Sequence, residues 1–320
     1  MSSEVAKGYD DVATKLGART IEERKKSPTI HLRFFNNWIK SYLIDKYCPN
    51  NPIIFDCACG KGGDIPKYRL KNPKYVIFGD ISEESFHAVR EKIPKDRRET
   101  YKWASTFIIG DIFGCNILET LIPGVQFDIS SCQMALHYAF GSPDNARQSI
   151  ENLTHQLQPG GYILITTLNA CRIVKQFLDV KDQKGIANSL FSMEREFDLD
   201  DIPPFGAKYY FELEQSVAHI PEFLVHPKVL IELFKEKNCE LIEMCPFHDF
   251  YHKSVQSRGK PFQLFLELLN KTGLENADMT PEEWNIIDLY SFYVFQKHGE
   301  PNQNNPTVIP NNHEPYEIKI

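Results

Sequence analysis

The sequence of 320 residues has eight cysteines but no Cys-x-x-Cys pair, the spacing that zinc ribbons and thiol redox motifs use. Its first residues carry no apolar core of a secretory signal, and no stretch approaches the roughly eighteen consecutive apolar residues of a membrane-spanning helix. We therefore expect an intracellular soluble protein with reduced thiols, no bound metal and no membrane segment. Internal repeats and low-complexity tracts are also missing.

Acidic and basic residues are unevenly distributed. The net charge is −7, yet the first hundred residues hold 19 Lys and Arg against 14 Asp and Glu, and the remainder hold 17 against 29. A protein that grips a long nucleic acid needs a cation for each phosphate that it neutralises, and this acidic body argues against such a partner. The basic first third leaves room for a small, local anionic ligand.

Short apolar runs alternate with amphipathic segments, which is the pattern of βαβ units and of a parallel sheet with helices on both faces. The predicted strands are residues 53–57, 75–80, 106–111, 127–132, 162–167 and a last apolar run, 284–295. The predicted helices are residues 30–46, 82–92 and a segment that begins at Ser142 and ends near residue 158. The sequence therefore predicts an α/β fold.

One domain over residues 30–300 contains this alternation. Two polar, aromatic stretches of irregular period, about 170–225 and 246–285, interrupt it, and we interpret them as insertions over the functional edge of the sheet. A basic lead-in over residues 1–29 is expected to be flexible. The Asn- and Pro-rich tail over residues 301–320 is expected to fray.

The chemistry is expected where the strands end, because ligands of open α/β sheets bind beyond the carboxyl ends of the strands. A glycine-rich turn at residues 59–64 follows the first predicted strand, and its spacing fits neither the dinucleotide fingerprint nor the P-loop. Asp80 and Asp111 end the next two strands, and Asp56 or Asp64 adds a third acid. Acids at three strand ends indicate a neutral or cationic nucleoside ligand such as S-adenosylmethionine. Taken singly, the turn could be merely tight and Asp80 could be a helix cap.

Three motifs occur in order along the chain: Phe-Asn-Asn-Trp-Ile-Lys-Ser at residues 35–41, Asp-Cys-Ala-Cys-Gly-Lys-Gly-Gly-Asp at residues 56–64, and His-Tyr-Ala-Phe within residues 133–140. Together they resemble the mRNA cap guanine-N7 methyltransferase family. Residues 157–161 and 290–297 also match, so the resemblance covers most of the chain and is weakest in the two insertions and at the ends. Ala58 departs from the family, where many members have glycine.

The resemblance implies a Rossmann-like class I methyltransferase fold with a mostly parallel seven-stranded sheet and cap-binding insertions. It implies transfer of a methyl group from S-adenosylmethionine to guanine N7 of a GpppN-capped RNA, without a metal and without a general base. The residues implied for the methyl donor are Lys40, Ala58, Gly60, Asp64, Asp80, Asp111, Ile112, Gln133 and Tyr138.

A second group of residues is implied for the cap. Its members are Asn36, Asn37, Lys61, Lys67, Arg90, His137, Tyr138, Glu222 and Tyr290, of which the last four would position the guanine. The implied partner is the 5′ end of capped RNA, together with other capping enzymes, the RNA polymerase machinery or an activating subunit. The resemblance further implies a monomer in the nucleus.

Several alternatives remain open on the sequence alone. His137 could be a structural histidine, Glu222 a loop acid, and Phe35 and Trp38 core packing on the first helix. The whole chain could instead methylate a small molecule or a protein on the same fold. It could also be a cap-binding module without catalytic activity.

Overall fold

The computed structural model describes residues 27–95, 102–117, 124–180, 183–215, 217–274, 279–300 and 316–320. The chain divides into two compact units. The first unit comprises Met1–Tyr42, Thr167–Pro227 and Cys245–Phe292, and the second comprises Leu43–Thr166, Lys228–Met244 and Tyr293–Ile320. The two predicted insertions therefore belong to the first unit, and the glycine-rich turn belongs to the second. Within the described residues, no helix has the length and apolar character needed to cross a membrane.

The described residues form the three predicted helices and six further ones. They are α1 (Ile30–Tyr47), α2 (Ile65–Arg69), α3 (Glu83–Lys92), α4 (Pro143–Thr154), α5 (Ala170–Asp179), α6 (Pro227–Lys235), α7 (Phe247–Ser257), α8 (Lys260–Thr272) and α9 (Pro281–Ile287). A 3₁₀ helix, Leu136–Gly141, precedes α4. Ser82 caps α3 by accepting from the Ser85 N–H, and acids in the first turn with bases in the last suit the helix dipole.

The strands of the described segments form two sheets. They are β1 (Ile53–Cys57), β2 (Tyr75–Asp80), β3 (Ala104–Ile109), β4 (Phe127–Gln133), β5 (Leu157–Leu168), β6 (Gly185–Ala187), β7 (Phe191–Arg195), β8 (Lys208–Leu213), β9 (Val217–Phe223), β10 (Cys239–Pro246), β11 (Tyr290–Lys297) and β12 (Tyr316–Lys319). The larger sheet has the order β10-β11-β5-β4-β1-β2-β3-β12, and the smaller one the order β6-β7-β8-β9.

The larger sheet is mostly parallel, as predicted. Strand β1 pairs in parallel with β2 and with β4, and β3 pairs in parallel with β2. All five residues of β1 and all six of β3 are buried, which explains why these strands are continuous apolar runs rather than alternating ones. The carboxyl ends of β1, β2, β3 and β4 consequently share one edge of the sheet.

Three parts of the fold differ from the sequence prediction. The larger sheet has eight strands among the described residues instead of seven, because Tyr316–Lys319 in the tail predicted to fray pairs in parallel with β3. Residues 284–287, predicted as strand, are helical because Thr280 and Glu283 form a capping box and Pro281 begins the helix. Of the predicted flexible lead-in, residues 1–26 lie outside the described residues, while Ser27 and Thr29 are buried.

The insertion at residues 170–225 also contains structure that its irregular period did not predict. After helix α5 it forms the four-stranded sheet, in which neighbouring strands are antiparallel. Strand β8 alternates buried and more exposed residues, which is the pattern of a sheet covered on one face. In the insertion at residues 246–285, the described residues form α7, α8 and the greater part of α9.

An aromatic core on α1 organises the first unit. Trp38 is fully buried and packs edge-on against Phe35 and Phe265, each with ring centroids 5.1 Å away. Its indole N–H donates to the Pro261 carbonyl at 2.8 Å, so the one polar atom of the ring is satisfied. The prediction that Phe35 and Trp38 are core residues is confirmed.

Replacing Trp38 with alanine is expected to lower the free energy of unfolding by about 3–5 kcal/mol, because it leaves a large cavity. Urea unfolding followed by circular dichroism measures the change. Leu70→Ala is the control, because Leu70 is 81% exposed and its loss should matter by less than about 0.5 kcal/mol. Similar effects of the two substitutions would contradict the packing described for α1.

Candidate functional site

The glycine-rich turn after β1 is shaped by residues with a left-handed backbone. Ala58 has φ +57° and Gly60 has φ +49°. A Cβ atom at Gly60 would meet no other atom within 4 Å, so the backbone faces open space there and a ligand can approach it closely. Alanine at position 58 adopts this left-handed backbone at a cost of roughly 1–2 kcal/mol. Glycine avoids the cost, which explains why many members of the family that the motifs resemble have glycine there.

Asp80 at the end of β2 is tied to this turn. Its Oδ2 accepts a hydrogen bond from the Gly60 N–H at 2.7 Å, and its Oδ1 accepts from the Ser82 N–H at 3.0 Å. Burial raises the pKa of Asp80, and these hydrogen bonds oppose that rise. The Ser85 side chain and the Ile81 N–H also lower this pKa as hydrogen-bond donors, and acceptance from the hydroxyls of a ribose stays a prediction.

Asp111 lies two residues beyond β3 in a similar turn. Its Oδ1 accepts from the N–H groups of Phe113 and Gly114 at 3.2 and 2.9 Å. The Gly110 N–H donates to the Asp80 carbonyl at 3.0 Å, which links the two acid-bearing loops directly. The structure therefore brings Gly60, Asp80 and Asp111 together, as the sequence predicts.

Ile112 is buried beneath this edge of the sheet. A Cβ atom at Gly79 would lie 3.2 Å from Ile112 Cγ2, so the small residue in β2 makes room for the isoleucine. The Ile112 carbonyl accepts from the buried Asn152 amide at 2.9 Å. Both the side chain and the backbone of Ile112 are therefore fixed by neighbouring residues. The predicted contact of Ile112 with the methyl donor stays a prediction.

Asp64 and Lys67 form a buried ion pair. Lys67 Nζ lies 2.7 Å from Asp64 Oδ1 and donates to the Gly63 carbonyl at 3.1 Å. The sequence prediction assigned these residues to different ligands, the methyl donor and the triphosphate. The structure places the Lys67 ammonium on the glycine-rich turn, whereas the side chains of Lys61 and Arg90 are exposed.

The Gln133 side chain is engaged within the sheet. Its Nε2 donates to Ser131 Oγ and to the Leu164 carbonyl at 3.1 and 2.9 Å, and its Oε1 accepts from Thr166 Oγ1 at 2.9 Å. Both amide hydrogens are therefore used at the end of β4. Only the second lone pair of Oε1 and the backbone remain for the predicted contact with the donor.

His137 and Tyr138 stand in the 3₁₀ helix after β4. His137 is buried and Tyr138 is half-buried, and their ring centroids are 4.2 Å apart. Met134, just before the helix, has φ +61°, and its N–H donates to the Thr166 carbonyl at 2.8 Å. This strained turn redirects the chain out of β4 and sets where the two rings lie.

In the first unit, Glu222 on β9 is a buried carboxylate. It is 2% exposed and accepts a 2.9 Å hydrogen bond from the hydroxyl of Tyr209, its register partner on β8. Burial and the neighbouring carboxylate raise the pKa of Tyr209 well above its ordinary value, so Tyr209 remains a neutral donor. Sequence reasoning missed Tyr209, although the alternation over residues 208–213 points every second residue inward.

The remaining predicted residues of the first unit differ in exposure. Tyr290 is buried with its ring centroid 5.8 Å from that of Phe247. On α1, Asn37 is exposed, and Asn36 and Lys40 are half-buried. The buried Asn36 Oδ1 has no hydrogen-bond partner among the described residues. A buried oxygen without a hydrogen-bond partner favours a ligand whose N–H or O–H group can donate to it.

The part of the chain that the structure describes contains no cluster of side chains that could bind a metal ion. No group of three or more His, Cys, Asp or Glu side chains there is arranged to hold an ion. The acids at the sheet edge instead accept from backbone N–H groups, as described for Asp80 and Asp111.

Comparison with known families decides the relationship. The family model described as the mRNA (guanine-N(7))-methyltransferase domain matches residues 1–298. The chain belongs to this family. The resemblance inferred from the three motifs is therefore confirmed.

Relatives of the family from distant eukaryotes align over most of the chain. The protein named mRNA cap guanine-N(7) methyltransferase 1 of Oryza sativa is 34% identical over 88% of this chain and 79% of its own length. Its namesake of Arabidopsis thaliana is 33% identical over the same shares. The mRNA cap guanine-N(7) methyltransferase of Schizosaccharomyces pombe is 30% identical over 93% of this chain and 83% of its own length.

Solved structures agree on the fold of the family. The CcbJ methyltransferase of Streptomyces caelestis superposes with a TM-score of 0.50 at 12% identity, covering 93% of this chain and 98% of that one. The predicted class I, Rossmann-like methyltransferase fold is confirmed. At this identity the likeness concerns the fold alone.

Replacing Tyr209 with phenylalanine is expected to destabilise the chain by about 1–3 kcal/mol, because the buried Glu222 carboxylate loses a hydrogen-bond donor. Chemical unfolding at neutral pH measures the effect. The matched control is Tyr210→Phe on the same strand, where the half-buried hydroxyl is 3.3 Å from Lys208 Nζ. A loss in the control as large as in Tyr209→Phe would contradict the special role of the Glu222 contact.

Proposed function

We propose that this chain transfers the methyl group of S-adenosylmethionine to N7 of the terminal guanine of GpppN-capped RNA. The observation that carries the proposal is the family match over residues 1–298, which spans every residue predicted for the donor and the cap. The arrangement of the acids at the sheet edge, and of the buried carboxylate in the first unit, supports it independently.

The second unit suits the nucleoside part of S-adenosylmethionine. Asp80 would accept from both ribose hydroxyls, and Asp111 would accept from the exocyclic amine of the adenine. The open backbone at Gly60 admits the donor without interference from a Cβ atom. When bound, the donor supplies an electrophilic methyl group on a sulfonium. The further residues assigned to it are Lys40, Ala58, Asp64, Ile112, Gln133 and Tyr138.

The first unit suits a guanine. A guanine presents N1–H and N2–H₂ donors on one edge, and Glu222 would accept from them while Tyr209 holds the carboxylate in place. Tyr290 would pack against the base, and Asn36 offers its buried amide oxygen as a further acceptor. His137, in the second unit, is assigned to the guanine by the family resemblance alone. Because the carboxylate is buried, its interaction with a base that becomes positively charged is weakly screened.

The reaction does not require the protein to transfer a proton. Guanine N7 has a free lone pair and no proton at neutral pH, so its attack on a methyl group needs no general base. Holding nucleophile, methyl and leaving sulfur in line contributes on the order of 7–11 kcal/mol in well-oriented systems. As N7 is alkylated the base gains positive charge, which Glu222 stabilises and a tyrosine face attracts by ~0.5–2 kcal/mol.

The triphosphate would be held by a few surface cations. Lys61 and Arg90 are exposed in the second unit, and Lys67, which pairs with Asp64 at the glycine-rich turn, is the third cation assigned to the triphosphate. Asn37, exposed on α1, is assigned to the cap nucleotide. Few cations serve a short anion rather than a long strand, which agrees with the acidic remainder of the chain.

The cellular setting is part of the proposal. The substrate is the 5′ end of nascent capped RNA, so the chain would act in the nucleus, as a monomer. Its partners would be other capping enzymes, the RNA polymerase machinery or an activating subunit. The exposed cations near the turn fit the end of an RNA.

Transfer of labelled methyl groups to three RNAs tests the activity. We expect labelling of GpppRNA and none of ApppRNA or uncapped RNA of the same sequence. Two variants then separate the binding sites: Asp80→Ala should abolish donor binding measured by calorimetry, and Glu222→Gln should slow methylation about 10²–10³-fold while donor binding persists. Equal labelling of the three RNAs would refute the assignment.

Donor affinity is expected to depend on pH through Asp80. The ribose hydroxyls need the ionised carboxylate as acceptor, and burial raises the pKa of this group. Affinity should therefore fall as the pH drops through that pKa, which burial raises above the ordinary value of an aspartate. Calorimetric titrations across the acid range measure the profile. Asp80→Asn should bind weakly with a flat profile, and an unchanged pH dependence in that variant would count against Asp80.

A further inference from the structure

We propose that the last strand, β12 together with Ile320, positions the two donor-binding acids and so sets the affinity for the methyl donor. The inference rests on the proposed function, because it concerns the site assigned to S-adenosylmethionine. The strand pairs in parallel with β3 from Tyr316↔Thr106 to Lys319↔Ile109. Strand β3 is the one that leads into Asp111.

Ile320 holds the residue directly before Asp111. Its N–H donates to the Ile109 carbonyl at 3.0 Å. Gly110 has φ +153°, and a Cβ atom there would lie 2.4 Å from Ile320 Cγ1 and 2.7 Å from the Ile320 carbonyl oxygen. Ile320 therefore lies against the Gly110 backbone at the distance that only a glycine permits, and it limits where the Asp111 turn can move.

Lys319 reaches the other acid-bearing loop. Its Nζ lies 2.7 Å from Glu83 Oε1, and Glu83 is the first residue of α3, next to the cap residue Ser82. The Ser82 N–H donates to Asp80 Oδ1. Both ends of the ion pair are exposed, so the pair alone contributes little. Its importance is that the same strand contacts the loops on both sides of the site.

The two loops are also joined to each other by the Gly110 N–H and the Asp80 carbonyl. Without β12, strand β3 would become an edge of the sheet, and the backbone at Ile109 and Gly110 would lose its neighbour. The loops would then have to be ordered when the donor binds, and this ordering opposes binding. The expected result is weaker donor binding with an unchanged chemical step at saturating donor.

A chain that ends at residue 315 tests the proposal against the full chain. We expect the Kd and the KM for S-adenosylmethionine to rise about tenfold, equivalent to 1.4 kcal/mol. The kcat at saturating donor and the KM for GpppRNA should stay within about twofold. The difference between the two KM values is decisive, because a strand with only a structural role would weaken the binding of both substrates and lower the melting temperature.

A matched pair of substitutions isolates the backbone contact. Ile320→Pro removes the N–H that donates to Ile109, whereas Ile320→Val keeps it and nearly keeps the side chain. The proline variant should reproduce the truncation and the valine variant should behave like the full chain. Coupling to Asp111 is tested by Asp111→Asn, whose cost in donor affinity should be smaller in the truncated chain than in the full chain.

The outcomes are distinct. Unchanged donor affinity in the truncated chain, or equal losses for donor and RNA with a lower melting temperature, would overturn the proposal. Additive effects of truncation and Asp111→Asn would also overturn it. If the full chain binds S-adenosylmethionine but labels none of the RNAs, the proposed function fails, while the donor affinities still decide the role of β12.

Discussion

The glycine-rich turn depends on one hydrogen bond, from the Gly60 N–H to Asp80 Oδ2 at 2.7 Å. Strands β1 and β2 are paired in register up to Cys57↔Gly79, and this bond continues their contact beyond the sheet. Gly60 has a left-handed backbone, and the acceptor of its N–H is the Asp80 carboxylate. The same carboxylate therefore serves the local fold and the proposed binding of a ribose.

The parts of the site that follow from strand order were predictable. Buried parallel strands are continuous apolar runs, so β1, β2 and β3 stand out in the sequence, and their carboxyl ends must share one edge. Asp80 and Asp111 could be located on that basis alone. The assignment of Glu222 and Tyr290 to a base needed the family resemblance, because neither lies at the end of a recognisable βαβ unit.

The parts that were not predicted depend on partners far apart in the chain. Tyr209 meets Glu222 through the register of a hairpin, and the sequence shows the alternation but not the register. Strand β12 has four residues and pairs with β3, which lies about two hundred positions earlier in the chain. No local sequence pattern predicts such a short strand or its pairing. The ion pair between Lys67 and Asp64 was not predicted either, because the sequence does not show that both side chains are buried; the role of Lys67 toward the triphosphate stays a prediction.

The Asp64–Lys67 pair also constrains how this sequence can change over time. The two side chains are three positions apart, both buried, with 2.7 Å between Nζ and Oδ1. Losing either partner alone leaves a buried charge without its counter-ion, typically at 3–5 kcal/mol, whereas replacing both by well-packed apolar residues is often neutral. A single substitution at either position would therefore lower the stability unless another substitution compensated for the loss. We therefore expect the two positions to co-vary among descendants of this chain, changing as a unit rather than drifting separately.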